Sequence, residues 1–365
     1  MAVNMGLPPL VEIDDSLDAV IEFFETQGWT DGLPFVPPTP DRVNEMYQYV
    51  DYQPSDVIAT LTPRNSEATL ERIAINSVMA GCRPAYMPVI ITAIQAIAEE
   101  PFDLNGMQST THPCAAMVLV NGPLAPELDI NSGHNIFGPG WRANASIGRA
   151  MRLIMVNIGG ATPGEGDKST QGSPAKYAFC FAEREDTNPW QPLHVEHGYD
   201  LEDSVVTVMA AEGPHNIQDH GSITGAGLLT TIAGSMRKTG GNDYMMGVGG
   251  QPMVVLGPEH AAAIAADGFS KDDVKRFIWE RARLPLSEVS PEWTVRESRV
   301  ERLMQAIGTL DEFPIAEHWS RIEVVVAGGS GKHSAWIPTF GGDLTQTVMR
   351  RIERADGTPY RSVYQ

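Results

Sequence analysis

Four apolar runs, each closed by a glycine turn and followed by polar residues, set the strongest limit on how this chain can fold. They read AAMVLVNGP (115–123), SVVTVMAAEGPHN (204–216), PMVVLGPEH (252–260) and IEVVVAGGSGKHS (322–334). Their β-branched content, short length and glycine closures mark strands. Helical patterns follow three of them, over residues 144–157, 227–236 and 260–266. The fourth leads through a loop to DLTQTVMRRIERA, which reads as a helix capped by Asp343. Strand, turn and helix in alternation predict an α/β protein, with one or more mixed or mostly parallel sheets and flanking helices. NIFGPGWRANASIGRAMR and SITGAGLLTTIAGSMR share enough pattern to raise an internal duplication of a strand–glycine turn–helix unit. If all four strands lie in one sheet, Asn121, His215, Glu259, His260, Lys332 and His333 fall near strand ends, where open α/β sheets hold ligands.

The N-terminal part differs in character. SLDAVIEFFETQ (16–27) has helical periodicity, with Leu17, Val20, Ile21 and Phe24 on one face and Gly28 as its stop. Pro34, Pro37, Pro38 and Pro40 then stiffen residues 29–40 into an extended arm, which either lies across the domain or closes over a site. A short helix capped by Asp41, a strand near 57–61 and a helix capped by Asn65 or Ser66 are expected next. Residues 87–98 read as a buried helix. The division expected is residues 1–60 as helix and arm, then an α/β region over 61–365, as one unit or as sub-domains near 61–200 and 201–365.

Charge and cysteines narrow the function classes. A net charge of −20 argues against a nucleic-acid or anionic-membrane binder, since both need clustered Lys and Arg. The apolar runs fall short of a membrane span, and no signal peptide is legible. Cys82, Cys114 and Cys180 are odd in number and widely spaced, which favours a reducing compartment and a cytoplasmic protein. A chain of this size and glycine content is expected to form a homo-oligomer.

Polar chemistry concentrates between Trp141 and Tyr199. Arg149 and Arg152 share a helix face beside Asn144, and together with Asn121 and His215 they are the expected substrate-binding groups. The two guanidinium groups suit a carboxylate or phosphate, or else form a salt-bridged face. Gly148 on the same helix allows a backbone to approach closely. In YAFCFAERE (177–185) a strand period puts Glu183 and Glu185 on one side and Cys180 on the other, where it reads as a small core residue. Glu183, Glu185, His194 and His197 are the set a divalent metal could take, although HVEH matches no standard zinc motif. His112, Glu183, His194, Lys332 and His333 are the catalytic candidates, as proton-moving or substrate-contacting groups. The loop AGGSGKHS departs from a Walker loop, since Val326 stands where the first glycine belongs and His333 follows Lys332.

TDGLPFVPPTPDRV, MAGCRPAYMPV, RANASIGRAMRLI with NIGG, and PWQPLHVEHGY together resemble a bacterial family of uncharacterised proteins often encoded beside small UGSC (seleno)proteins. That resemblance implies a thiol or selenol redox partner and the cleavage or reduction of a carbon–heteroatom bond. This chain carries no such motif, its cysteines lying in AGCRP, HPCAA and AFCFA. The favoured expectation is an enzyme of lyase or hydrolase type acting on a small polar or anionic molecule. The alternative is a non-catalytic binding or scaffold subunit of a redox system.

Overall fold

The computed structural model describes residues 10–14, 16–245, 250–292, 311–340 and 345–365. Its first helix, α1 (Leu17–Gln27), begins where the Ser16 side chain accepts the Ala19 N–H and ends at Gly28, whose φ of 68° only glycine adopts freely. The arm then runs to α2 (Pro40–Glu45), its N-cap at Thr39 and Pro40 in the first turn. A hairpin of β1 (Val57–Leu61) and β2 (Ser66–Thr69) leads into α3 (Leu70–Met79), α4 (Met87–Ile97) and α5 (Leu104–Ser109). Next come β3 (Ala115–Asn121), α6 (Leu124–Glu127), α7 (Arg142–Asn157), β4 (Cys180–Ala182), α8 (Leu193–Glu196) and β5 (Val205–Ala211). The chain continues through β6 (His215–Gln218), α9 (Gly225–Met236), α10 (Asn242–Met245), β7 (Met253–Leu256), α11 (Pro258–Ala266) and α12 (Lys271–Arg281). A small hairpin of β8 (Arg283–Pro285) and β9 (Glu312–Pro314) precedes β10 (Glu323–Val326), β11 (His333–Ile337) and β12 (Val348–Arg351).

The larger strands form two mixed four-stranded sheets, so this is an α/β fold. One sheet has the order β12-β5-β3-β4 and the other β6-β11-β7-β10. In both, the first two pairings are antiparallel and the third is parallel. The four apolar runs are therefore strands, two in each sheet rather than four in one. Each half lends its last strand to the other: β6 follows β5 yet pairs with β11, and β12 follows β11 yet pairs with β5. The repeat thus lies in sheet topology. The two similar segments do not correspond within it, because α7 follows β3 whereas α9 precedes β7. A boundary near residue 200 is likewise crossed, since β5 belongs to the first sheet and β12 returns to it.

Alternation along the strands explains the layering. Met117 and Leu119 of β3 meet Val255 of β7, Val325 of β10 and Ile337 of β11 in a core between the two sheets. The opposite face of β3 (Ala116, Val118, Val120) packs on α3, α4 and α7, while Val254 and Leu256 of β7 pack under α9, α11 and α12. The result is helix, sheet, sheet, helix. Gly148 permits the tight contact of α7 with the first sheet, because a Cβ there would lie 2.4 Å from the Phe179 nitrogen.

Four local expectations fail for identifiable reasons. Pro40 opens α2 with its fixed φ, so Thr39 is the N-cap and Asp41 lies in the first turn. Residues 66–69 pair with β1 before the helix begins, so Thr69, rather than Asn65 or Ser66, caps α3. The segment from DLTQTVMRRIERA that reads as a helix instead supplies β12, because the edge of β5 offers it a ladder from Val348 to Arg351; Asp343 lies outside the described residues. In 177–185 only Cys180–Ala182 is strand, and Glu185 opens a short 3₁₀ turn.

Candidate functional site

The sandwich has polar clusters at both ends. At the carboxyl ends of β3 and β4, the Asn121 amide donates to Glu183 Oε2 (2.6 Å) and Glu185 Oε1 (3.0 Å). Glu183 also accepts from the Leu193 N–H (2.8 Å), the Asn188 amide (2.8 Å) and, more weakly, the Val326 N–H (3.5 Å). Burial pushes its carboxyl up, with Lys271 and these donors opposing. Both of its oxygens are occupied, so Glu183 ties the 188–193 segment to the strand ends. His194 is fully buried, its Nδ1 3.8 Å from Glu185 Oε1, and neither ring nitrogen has a hydrogen-bond partner. His197 turns away to Glu323 (3.2 Å), inside a network with Lys275, Lys271 and Glu196. The expected four-residue metal set is therefore divided. Among the described residues no group of three or more His, Cys, Asp or Glu side chains is arranged to hold a metal ion.

Lys332 and His333 lie near the carboxyl end of β7 but face β6. Lys332 Nζ donates to the His220 carbonyl (3.3 Å), and His333 Nδ1 lies 2.9 Å from Asn216 Oδ1. Beneath them, buried His260 joins Ser334 Oγ (2.8 Å) to the Asp219 carbonyl (3.1 Å), fastening α11 to β11.

The opposite end is built where β5 and β11 overrun their sheets and meet. Ala211 bridges Thr339 antiparallel, the Glu212 N–H donates to the Pro338 carbonyl (2.8 Å), and the Phe340 N–H donates to the Ala210 carbonyl (2.9 Å). The antiparallel pairing of β3 with β5 sets His112 beside Glu212 at this crossing, with His215 three residues further on, so Glu212 lies between two imidazoles. His112 Nε2 is 2.8 Å from Glu212 Oε1, and His215 Nε2 is 3.7 Å from Oε2. The His112 ring stacks on Phe340 and His215 leans on Trp336. Burial works to raise the Glu212 carboxyl, but the His112 hydrogen bond, followed by the charges of His112, Lys238 and His215, outweighs it and holds the group below its usual range.

Asp243 of α10 closes the group from the other sheet. Its Oδ1 accepts the Thr339 N–H (3.2 Å) and hydroxyl (3.0 Å), while Oδ2 has no partner. Burial, reinforced by the charge of Glu212, pushes this carboxyl up to about 7 against the Thr339 hydrogen bonds and the charge of Lys238. Trp336 Nε1 and His112 Nδ1 are likewise buried without partners. With Nε2–H given to Glu212, the neutral His112 ring leaves Nδ1 as an acceptor. The cluster thus offers bases, an acid that is part protonated near neutrality and an unused donor, and His215 opens it to solvent with 38 % of its side chain exposed.

The sequence candidates therefore separate. Nine residues of near-extended chain put His112 about 30 Å from Asn121, at opposite ends of β3. His112 and His215 share the crossing; Asn121, Glu183, Glu185 and His194 share the far end. The remaining substrate-binding candidates have internal partners. Arg149 grips Asp31 in bidentate fashion (2.7 and 2.8 Å) and also donates to the Pro34 and Leu33 carbonyls, so it fastens the proline arm across α7. Arg152 pairs with Asp167 (2.9 Å), which Lys176 also holds. Asn144 exchanges hydrogen bonds with the Asn131 backbone (2.7 and 3.1 Å). Sequence reading missed Glu212, Asp243 and Trp336. Glu212 carried a signal, since it stands three residues before His215 just past a strand; Asp243 acquires its character only from tertiary burial.

All three cysteines are buried, and burial pushes the Cys82 and Cys114 thiols up to about 12 and Cys180 further. No helix of the described residues is long and apolar enough to cross a membrane. No family model matches the chain, and no curated protein matches it significantly.

Proposed function

We propose that this chain is an acid/base enzyme of lyase or hydrolase type, cleaving a carbon–heteroatom bond in a small polar or anionic substrate at the crossing of β5 and β11. The observation that carries this reading is the Glu212 carboxylate between His112 and His215, with the buried Asp243 carboxyl, pushed up to about 7, close enough to feel its charge. General acid/base catalysis needs both protonation states within reach, and groups that titrate near the working pH supply them best. His215, the most open of the four, takes the substrate proton. Glu212 fixes the imidazole tautomers and balances the charge that develops. Asp243 returns a proton through Oδ2 to the leaving heteroatom, and Trp336 Nε1 donates to substrate oxygen. Lys238, whose charge acts on both carboxyls and which has no ion-pair partner among the described residues, draws in an anionic substrate.

The alternative of a redox subunit draws on the buried cysteines: with thiols held this far up, any thiol or selenol chemistry would belong to a partner chain. The test is a mass-spectrometric screen of hydroxy, amino and thio acids for depletion by the purified chain. His215→Asn and Asp243→Asn serve as controls, and each is expected to slow turnover by about 100-fold or more. Turnover unaffected in both variants would remove the assignment.

A further inference from the structure

A groove of about 1320 Å³ lies between α1 with its preceding segment and the outer faces of α2 and α3, and it shares no lining residue with the β5–β11 crossing. Small-molecule sites run to about 300–1,000 Å³, so this one has room for an elongated occupant. Its walls are apolar: Phe24, Val43, Ile75 and Met79 line it, and Trp29 packs edge-on against Phe24 at one side. Along the outer rim Leu10, Val11 and Leu17 are 81, 50 and 61 % exposed, apolar side chains that nothing in the chain covers among the described residues.

The polar lining is specific. Arg42, Arg64 and Arg72 all border the groove, and none has an ion-pair partner among the described residues, in a chain with 46 acidic residues. Each spends one nitrogen on a backbone carbonyl: Arg42 on Pro37 (2.9 Å), Arg64 on Asn157 (3.2 Å) and Arg72 on Glu67 (2.8 Å). Their remaining N–H groups are free for an oxyanion. Beside them Asn157 turns its amide nitrogen to Asn76 (2.7 Å) and Trp29 (3.1 Å), leaving Oδ1 buried with no donor. A buried acceptor without a partner calls for a hydroxyl or other donor on the occupant. Glu12, Asp14 and Glu71 also line the groove. Glu12 and Asp14 belong to the outer segment, and burial holds the Glu71 carboxyl above its usual range despite Arg72.

We propose that this groove binds an amphipathic anion, its alkyl tail along Phe24, Val43 and Met79 and its oxyanion head at Arg64, Arg72 and Asn157. A long tail satisfies the apolar walls and covers the exposed rim. The head supplies acceptors to the guanidinium groups, and the remaining P–OH of a phosphate monoester monoanion supplies the donor for Asn157 Oδ1, which a carboxylate lacks.

The experiment is isothermal titration of the full chain with monododecyl phosphate and laurate below their micellar concentrations and with 1-dodecanol below its solubility limit. At least one of the two anions is expected to bind with a Kd in the micromolar range, and the tighter one identifies the head. Dodecanol, with the same tail and no charge, should bind at least about tenfold more weakly. Arg64→Gln with Arg72→Gln, one exposed and one partly buried change, should weaken the anion by a similar factor while leaving the circular dichroism spectrum unchanged. Val43→Trp, which fills tail space from α2 and not from the helix that carries Arg72, should weaken anion and alcohol alike. The proposal is overturned if neither anion binds, if dodecanol binds as tightly as the anions, or if the folded double variant binds as the native chain does.

Discussion

Replacing Asp243 with Asn perturbs the proposed site at one atom pair and has a consequence whose sign is fixed. The Asn side-chain oxygen can still accept the Thr339 N–H and hydroxyl that Oδ1 accepts now, while Oδ2, which has no partner, becomes an amide that cannot ionise. In the native chain burial raises this carboxyl from 3.8 to about 7. Below the unfolded value both states are protonated and the group is neutral to stability. As pH rises the unfolded chain ionises first, so stability is lost progressively until the folded group ionises near 7, after which the penalty is constant. A rise of about three units at about 1.4 kcal/mol each gives a loss of order 4 kcal/mol between about pH 4 and pH 8. Asp243→Asn removes that loss. Urea unfolding across this range should therefore show the native chain falling relative to the variant as pH rises, with unchanged m-value. Parallel curves for the two proteins would refute the claim that a neutral acid sits at the crossing.

Other consequences follow from the same geometry. Arg149→Ala leaves Asp31 half-buried and unpaired and frees the arm, and should cost about 2–3 kcal/mol in chemical denaturation, the lower side of what losing one partner of a buried pair costs. Glu183→Ala strips the acceptor from the Asn121 and Asn188 amides and the Leu193 N–H, and should cost about 3 kcal/mol by the same measurement. Cys82, Cys114 and Cys180 should resist iodoacetamide at pH 8 in the folded chain and react promptly in urea, since burial keeps each thiol protonated.

Elements whose signals are local were legible in the sequence. Ser16 and Gly28 bracket α1 as their side-chain chemistry and φ freedom require, and the apolar runs became β3, β5, β7 and β10. Partner choice was not legible, because a strand's side-chain pattern says which faces are buried and not which strand lies beside it. Two sheets exchanging β6 and β12 satisfy the same alternation as one sheet would, and β12 became a strand because β5 had a free edge. The polar groups divided by the same logic. Spacing placed Glu183, Glu185 and His194 near one another, and Asn121 joined the glutamates because β3 and β4 pair in parallel and end side by side. His112 and His215 met because β3 pairs antiparallel with β5, which sets the residues before Ala115 beside those after Ala211, a pairing that spacing along the chain does not reveal. Arg149 and Arg152 were recognised as carboxylate binders, but their carboxylates, Asp31 and Asp167, come from this chain.

The central claim is that chemistry happens at the β5–β11 crossing and not at the carboxyl ends of β3 and β4. The most direct measurement compares kcat/KM of Glu212→Gln and Glu185→Gln on whichever acid the substrate screen identifies. Glu212→Gln is expected to lose about 100-fold or more while Glu185→Gln stays within about threefold of the native chain. The reverse pattern, with activity lost at Glu185 and kept at Glu212, would contradict the account and move the active site to the opposite end of the sandwich.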